Sequence, residues 1–283
     1  MSTTALGSDR AHLHPYEVDL LCAYAEVEAP FPLEIPASGT SDAERAVVFR
    51  EVRRTLEARD LADDTGPTGL AADLVGLLRD RTGALDMVLY QENLAVRVAA
   101  LTRGDDALLA VQRSDDPEEL VRLRRLPTDH VVDAVLRLVP ARDAASVIPF
   151  TVPLRALRIA EKAIEDQVES GGQPLDDERL SALLRDNGVD DRVLRRVVAT
   201  LQPVQCTGQI GASAPGDQDG VDVDDVDDVR IGQELSWVDT PRGRHRVSEE
   251  PGQDGAGWAS VNPLSGEDMR RRVRDLVGLL RRR

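Results

Sequence analysis

The sequence predicts an α+β protein built around an antiparallel sheet, with a layout that occurs twice along the chain: helical segments, four short strands, then one closing amphipathic helix. Three observations predict it. In each half a block of helical segments comes before a group of strand-like runs. Short turn-like pieces such as Arg103-Gly-Asp-Asp106 link the strands of the first half, a spacing that argues for an antiparallel meander. The closing helices also share one apolar stripe: adding 138 to Val131, Val135, Leu138 and Val139 gives Met269, Val273, Leu276 and Val277. Each closing helix follows a strand and a proline, Pro127 or Pro263, and proline suits a helix entry because its missing N–H is not needed there.

Residues 1–14 read as a disordered tail, and residues 15–283 as one domain with pseudo-repeat halves over 15–140 and 153–281. A first helix is expected at Tyr16–Val27, where Val18, Leu21, Cys22 and Ala25 share a face. Three prolines in Pro30-Phe-Pro-Leu-Glu-Ile-Pro36 forbid a helix there and predict an extended segment. Ser41-Asp-Ala-Glu44 is a capping box that opens a second helix reaching about Arg59, and a third runs from Thr68 to Arg81. Strands follow at Leu85–Gln91, Leu94–Thr102, Ala107–Gln112 and Glu119–Leu126. In the second half, after a connection over Ala141–Val152, helices are expected at Pro153–Ser170, Asp176–Asn187 and Asp190–Leu201, with Gly188 as a C-cap. Strands resume at Val204–Ile210, Gln233–Asp239, Arg244–Ser248 and Trp258–Val261, and Thr240-Pro-Arg-Gly243 reads as a hairpin turn. Gly216–Arg230 carries seven aspartates. A calcium loop aligned on Gly220 would begin at Pro215 and end at Val226, where carboxylates are required, so the run reads as a flexible, solvated loop.

Composition narrows the function. With 51 acidic and 35 basic residues the net charge is −16, which repels a phosphate backbone and disfavours both nucleic acid and anionic membranes. No segment of about 18 consecutive apolar residues occurs and the N-terminal residues lack an apolar signal core, so a cytoplasmic protein is expected. Lys162 is the only lysine, and the arginine bias points to a GC-rich, actinobacterial type of source. Cys22 and Cys206 each stand alone, which gives no disulfide framework and no metal pair. His12, His14, His130 and His245 flank no nucleophile elbow, and no phosphate loop, dinucleotide fingerprint or HExxH stretch is present. His12-x-His14 reads as two exposed tail histidines. The paired carboxylates Asp63-Asp64, Asp176-Asp177 and Asp190-Asp191 fall at expected helix starts, where they complement the helix dipole. Trp237 and Trp258 read as core anchors. Catalytic, metal and cofactor residues are therefore expected to be absent.

One feature suggests a binding surface. Pairing Leu101 with Leu108 and Ala99 with Ala110 puts Arg97, Ala99, Leu101, Leu108, Ala110 and Gln112 on one face of the hairpin Leu94–Gln112. The other face, Val96, Val98, Ala100, Leu109 and Val111, is apolar as well. A sheet apolar on both sides must be covered on both, by its own helices or by a partner.

The block Pro30–Pro36 with Gly39-Thr-Ser-Asp-Ala-Glu-Arg45, the repeated layout, and the C-terminal blocks Trp237-Val-Asp-Thr-Pro-Arg-Gly-Arg244 and Gly257-Trp-Ala-Ser-Val-Asn-Pro263 resemble the EspG family of actinobacterial type VII (ESX) secretion chaperones, over about Pro15–Leu280. The resemblance implies a central antiparallel sheet flanked by two helical bundles with quasi-twofold symmetry. It implies a cytosolic chaperone without cofactor that binds PE–PPE heterodimers, or a similar helical-hairpin substrate, at the tip of the helical bundle, keeps them soluble and delivers them for secretion. In the family the recognition surface comes from the central sheet and the C-terminal bundle, here the hairpin Leu94–Gln112 and helices within Pro153–Leu201. Two readings from other classes compete: a self-associating, homodimeric scaffold of the secretion locus, and an enzyme using scattered carboxylates with Arg97.

Overall fold

In the computed structural model, which describes residues 9–154, 178, 182, 185, 186, 191–216, 228–251 and 257–282, the first described element is a strand. Arg10-Ala-His-Leu13 alternates outward and inward residues and forms β1 (Arg10–Leu13), paired antiparallel with β5 (Val121–Pro127) and ending on Leu13, which is fully buried. The expected disordered tail is thereby corrected over residues 10–14.

Helix α1 (Pro15–Ala25) starts where three signals coincide. The His14 ring accepts from the Tyr16 amide at 3.2 Å, the Glu17 carboxylate accepts from the His14 amide at 2.8 Å, and Pro15 occupies the first turn. It ends at Glu26, whose left-handed backbone caps the last carbonyls. Helices α2 (Asp42–Glu57) and α3 (Gly69–Asp80) follow, α2 capped by Ser41 as expected. Asp63-Asp64 does not start a helix. Asp63 instead closes a tight turn, accepting from the Thr65 hydroxyl and from the Thr65 and Gly66 amides, and these bonds hold its carboxyl below the usual range.

The chain divides into two compact units. The first comprises Met1–Pro140, Gly208–Glu234 and Arg270–Arg283. Its sheet runs in the order β1, β5, β4 (Asp106–Arg113), β3 (Leu94–Arg103), β2 (Gly83–Gln91) and β7 (Cys206–Ala214), and the strands from β1 to β2 are antiparallel. The expected hairpin register is the observed one: Leu101 pairs with Leu108, Ala99 with Ala110 and Arg97 with Gln112. A two-residue strand, β8 (Val229–Arg230), pairs with Ser213 and Ala214 of β7, so the end of the expected aspartate-rich loop is ordered; residues 217–227 of that loop lie outside the described residues.

The second unit comprises Ala141–Thr207 and Leu235–Met269. Its strands run antiparallel in the order β9 (Leu235–Thr240), β10 (Gly243–Pro251), β11 (Gly257–Pro263) and β6 (Phe150–Pro153). Strand β6 occupies the end of the connection expected over Ala141–Val152 and takes in Pro153, while Leu154, the next residue, is helical; the remainder of the helix expected from Pro153, most of Asp176–Asn187 and Gly188 lie outside the described residues. Helix α5 (Asp191–Leu201) packs Val197 and Leu201 against Phe150, Val152, Ala259 and Val261. Thr240 and Gly243 close the β9–β10 hairpin, with Gly243 at φ 113° where a side chain would meet the Ala145 backbone.

The two closing helices are unequal. After a single turn of 3₁₀ helix, α4 covers six residues (Val131–Leu136), whereas α6 (Gly266–Leu280) covers fifteen. Both stripes are buried, Val131, Val135 and Val139 in one, Met269, Val273, Leu276 and Val277 in the other, with Leu138 half-buried. The result is an α+β fold in which antiparallel strands carry helices, as the sequence predicts.

Candidate functional site

The six residues expected to meet a partner are all buried. Ala99, Leu101, Leu108 and Ala110 belong to one core cluster with Leu21 of α1, Leu56 of α2 and Leu70, Leu74 and Leu78 of α3. The protein's own helices cover this face, so the expectation that it is an exposed partner surface is corrected. The physical reason is simple: α1 and α3 each carry an apolar stripe that needs a sheet face, and this is the nearest one.

Its two polar members hold the extended segment 30–36 in place. The Gln112 side-chain amide accepts from the Glu34 amide at 2.8 Å and donates to the Glu34 carbonyl at 3.0 Å, which reproduces the bonding of a strand neighbour with one side chain. Arg97 forms an ion pair with the Glu34 carboxylate. Leu33 and Ile35 add apolar contact to the same core. Arg97, one of the groups that the enzymatic reading invoked beside scattered carboxylates, is thus a structural anchor.

The same face stays open farther across the sheet. Register places Asp86, Val88 and Tyr90 of β2 beside Ala99, Arg97 and Ala95 of β3, on the face just described. Burial falls along this row: Asp86 is buried, Val88 half-buried and Tyr90 52% exposed, over about 13 Å of strand. Phe31, 59% exposed and joined to Pro32 by a cis bond, borders the row from the extended segment. Arg230 of β8 forms an ion pair with Asp86 and lies 5.2 Å from the Phe31 ring centroid. Gln209 of β7 is exposed, while Gly211 offers no side chain, and a Cβ there would overlap the Arg230 guanidinium. Burial pushes the Asp86 carboxyl above the usual range, with Arg230 acting in the opposite sense. The composition makes this strip unusual, because aromatic residues are only 3% of the chain and two of them stand here in the open.

The other candidate residues take structural places. Cys22 and Cys206 are buried, and burial pushes their thiols up to about 12 and about 11, away from nucleophilic or ligand chemistry. His14 caps α1 and His245 is fully buried beside the Thr240 hydroxyl at 3.2 Å. Trp237 is a core anchor as expected, and Trp258 is half-buried. Among the described residues no group of three or more His, Cys, Asp or Glu is placed to hold a metal, and no helix is long and apolar enough to cross a membrane. Asp176, Asp177 and Asp190 lie outside the described residues. The exposed strip was missed from sequence because Phe31, Tyr90 and Arg230 are distant along the chain; the signals were the exposed end of an otherwise apolar strand and an aromatic residue between prolines.

The profile of the EspG family matches residues 14–275. Among solved structures, the type VII secretion system chaperone EspG5 of Mycobacterium tuberculosis, determined in complex with a PE25-PPE41 dimer, matches with a TM-score of 0.57 at 14% sequence identity, covering 95% of each chain. No curated protein matches in sequence. The family profile spans both units and all four sequence blocks that carry the resemblance, and the chain belongs to the EspG family.

Proposed function

We propose that this protein is a non-enzymatic, cytoplasmic chaperone of type VII secretion that binds a PE–PPE-type helical client, shields its apolar tip and delivers it for export. The observation that carries this reading is the family match over nearly the whole chain. It is supported by a fold shared end to end with a chaperone that was solved holding a PE–PPE dimer. The strip of Phe31, Val88, Tyr90, Gln209 and Arg230 is the contact surface we assign to the client. It offers exposed aromatic groups and an arginine, the residue types enriched where interfaces carry most of their energy.

Co-expression with a PE–PPE pair of the source organism, followed by size-exclusion chromatography with light scattering, tests it. A complex holding one copy of each of the three chains is expected. Tyr90→Glu combined with Phe31→Glu is expected to dissolve that complex while leaving the circular dichroism spectrum unchanged. Separate elution of wild-type protein and every pair tried would overturn the chaperone reading, and a mass of two copies without client would point to self-association.

A further inference from the structure

Arg230, like Arg59 on Glu17, is a half-exposed arginine held by a buried carboxylate. Its anchor Asp86 is almost completely buried, with a side chain 5% exposed, whereas Arg230 itself is 47% exposed. By contrast, the Arg125–Asp73 and Arg270–Asp133 pairs have both members in solvent. The anchored nitrogen is Nη1. Among the described residues Nε and Nη2 make no hydrogen bond. Gly211 supplies the space in which the guanidinium lies, and Phe31 backs it. An arginine fixed at one nitrogen and against a ring has lost most of its rotamer freedom before any partner arrives, and its remaining donors keep the planar spacing that matches two carboxylate oxygens.

We propose that Arg230 is a specificity-determining residue for the client, that it takes the carboxylate of an Asp or Glu side chain whose apolar neighbours pack on Phe31 and Tyr90, and that Asp86 is its positioning residue. The proposal rests on the chaperone reading above. Charge complementarity supports a carboxylate: within this strip Arg230 is the cation that faces solvent, in a protein whose net charge of −16 otherwise repels acidic partners. An acidic client residue can therefore dock at this strip while the surrounding surface turns away the same group elsewhere.

The test is the affinity of a PE–PPE heterodimer of the source organism, measured by calorimetry against wild-type protein, Arg230→Gln, Arg230→Lys and Asp86→Asn. Each protein is also titrated with a client whose acidic tip residues are changed one at a time to the amide. Arg230→Gln is expected to weaken binding at least tenfold, Arg230→Lys nearly as much because a lysine lacks the planar fork, and one acid-to-amide client is expected to lose the same factor against wild type but nothing further against Arg230→Gln. Asp86→Asn is expected to reduce discrimination between the acid and amide clients, which a merely structural role for Asp86 would leave intact. Because Arg230→Gln leaves Asp86 buried without its partner, the double variant Asp86→Asn/Arg230→Gln serves as the fold control, and its thermal midpoint should stay near wild type.

Wild-type binding that persists within threefold in Arg230→Gln overturns the inference and leaves the chaperone reading standing. Loss with Arg230→Gln but with no acid-to-amide client overturns the carboxylate, since the acceptor is then a backbone oxygen. If wild-type protein binds no PE–PPE pair, the chaperone reading fails and the inference falls with it.

Discussion

Arg244 and Asp239 form a bidentate pair at 2.7 and 2.6 Å with side chains only 3% and 1% exposed, beside the Trp237 ring, and the Arg244 Nη1 group also reaches the Met269 sulfur at 3.5 Å. Removing one partner of such a pair strands the other charge, so Arg244→Met should cost about 3–5 kcal/mol in urea denaturation. Converting both to apolar residues of similar size should cost far less. Leu101, once the apolar centre of an expected partner surface, is 1% exposed in the core; Leu101→Ala should therefore cost about 2–5 kcal/mol of stability, with client affinity unchanged in the fraction that remains folded. His245 gives a pH dependence. Burial lowers its pKa from 6.5, with Asp239 acting in the opposite sense and Arg242 in the same sense. The unfolded chain then binds a proton that the folded chain resists, so this contribution is intact above about pH 6.5 and declines as pH falls below it, with a slope of at most about 1.4 kcal/mol per pH unit. Urea titrations at pH 7.5 and 5.5 should show a smaller pH effect in His245→Gln than in wild type.

At the scale of elements, the α1 N-terminus concentrates several tasks in two residues. His14 caps the helix, while the buried Glu17 accepts from the His14 amide, the Thr55 hydroxyl at 2.9 Å and Arg59, tying α1 to the end of α2. His14→Ala and Ser41→Ala, each removing an N-cap acceptor, should each lower stability by about 0.5–2 kcal/mol, as chemical denaturation would measure. These elements also show what a sequence discloses. The β3–β4 register was legible because two-residue periodicity and the short turn leave one pairing that keeps both faces apolar. Which body covers each face was not legible, since burial by α1 and α3 depends on how distant segments pack. Strand β1 carried the right alternation but only four residues of it, and β6, equally short, lay in a segment that read as a connection.

At the scale of the whole molecule, acidic residues outnumber basic ones, 51 to 35. A net charge of −16 and an isoelectric point near 4.7 keep copies apart at neutral pH. Turbidity should therefore peak near pH 4.7 and fall on either side. The strip proposed above as the client surface is assembled from segments far apart in sequence, with Phe31, Tyr90 and Arg230 each from a different one. The attachment of Phe31's segment has an evolutionary reading. Pro30, Pro32 and Pro36 cannot offer backbone donors, and Gln112 grips the segment at a single residue, Glu34. A peptide held by one clasp is free of the lockstep that a strand imposes on its neighbours. Outside Leu33 and Ile35, which pack on the core, exposed positions such as Phe31 can be exchanged by mutation without shifting a ladder, so a lineage can remodel the rim around Phe31 while the sheet beneath is inherited unchanged.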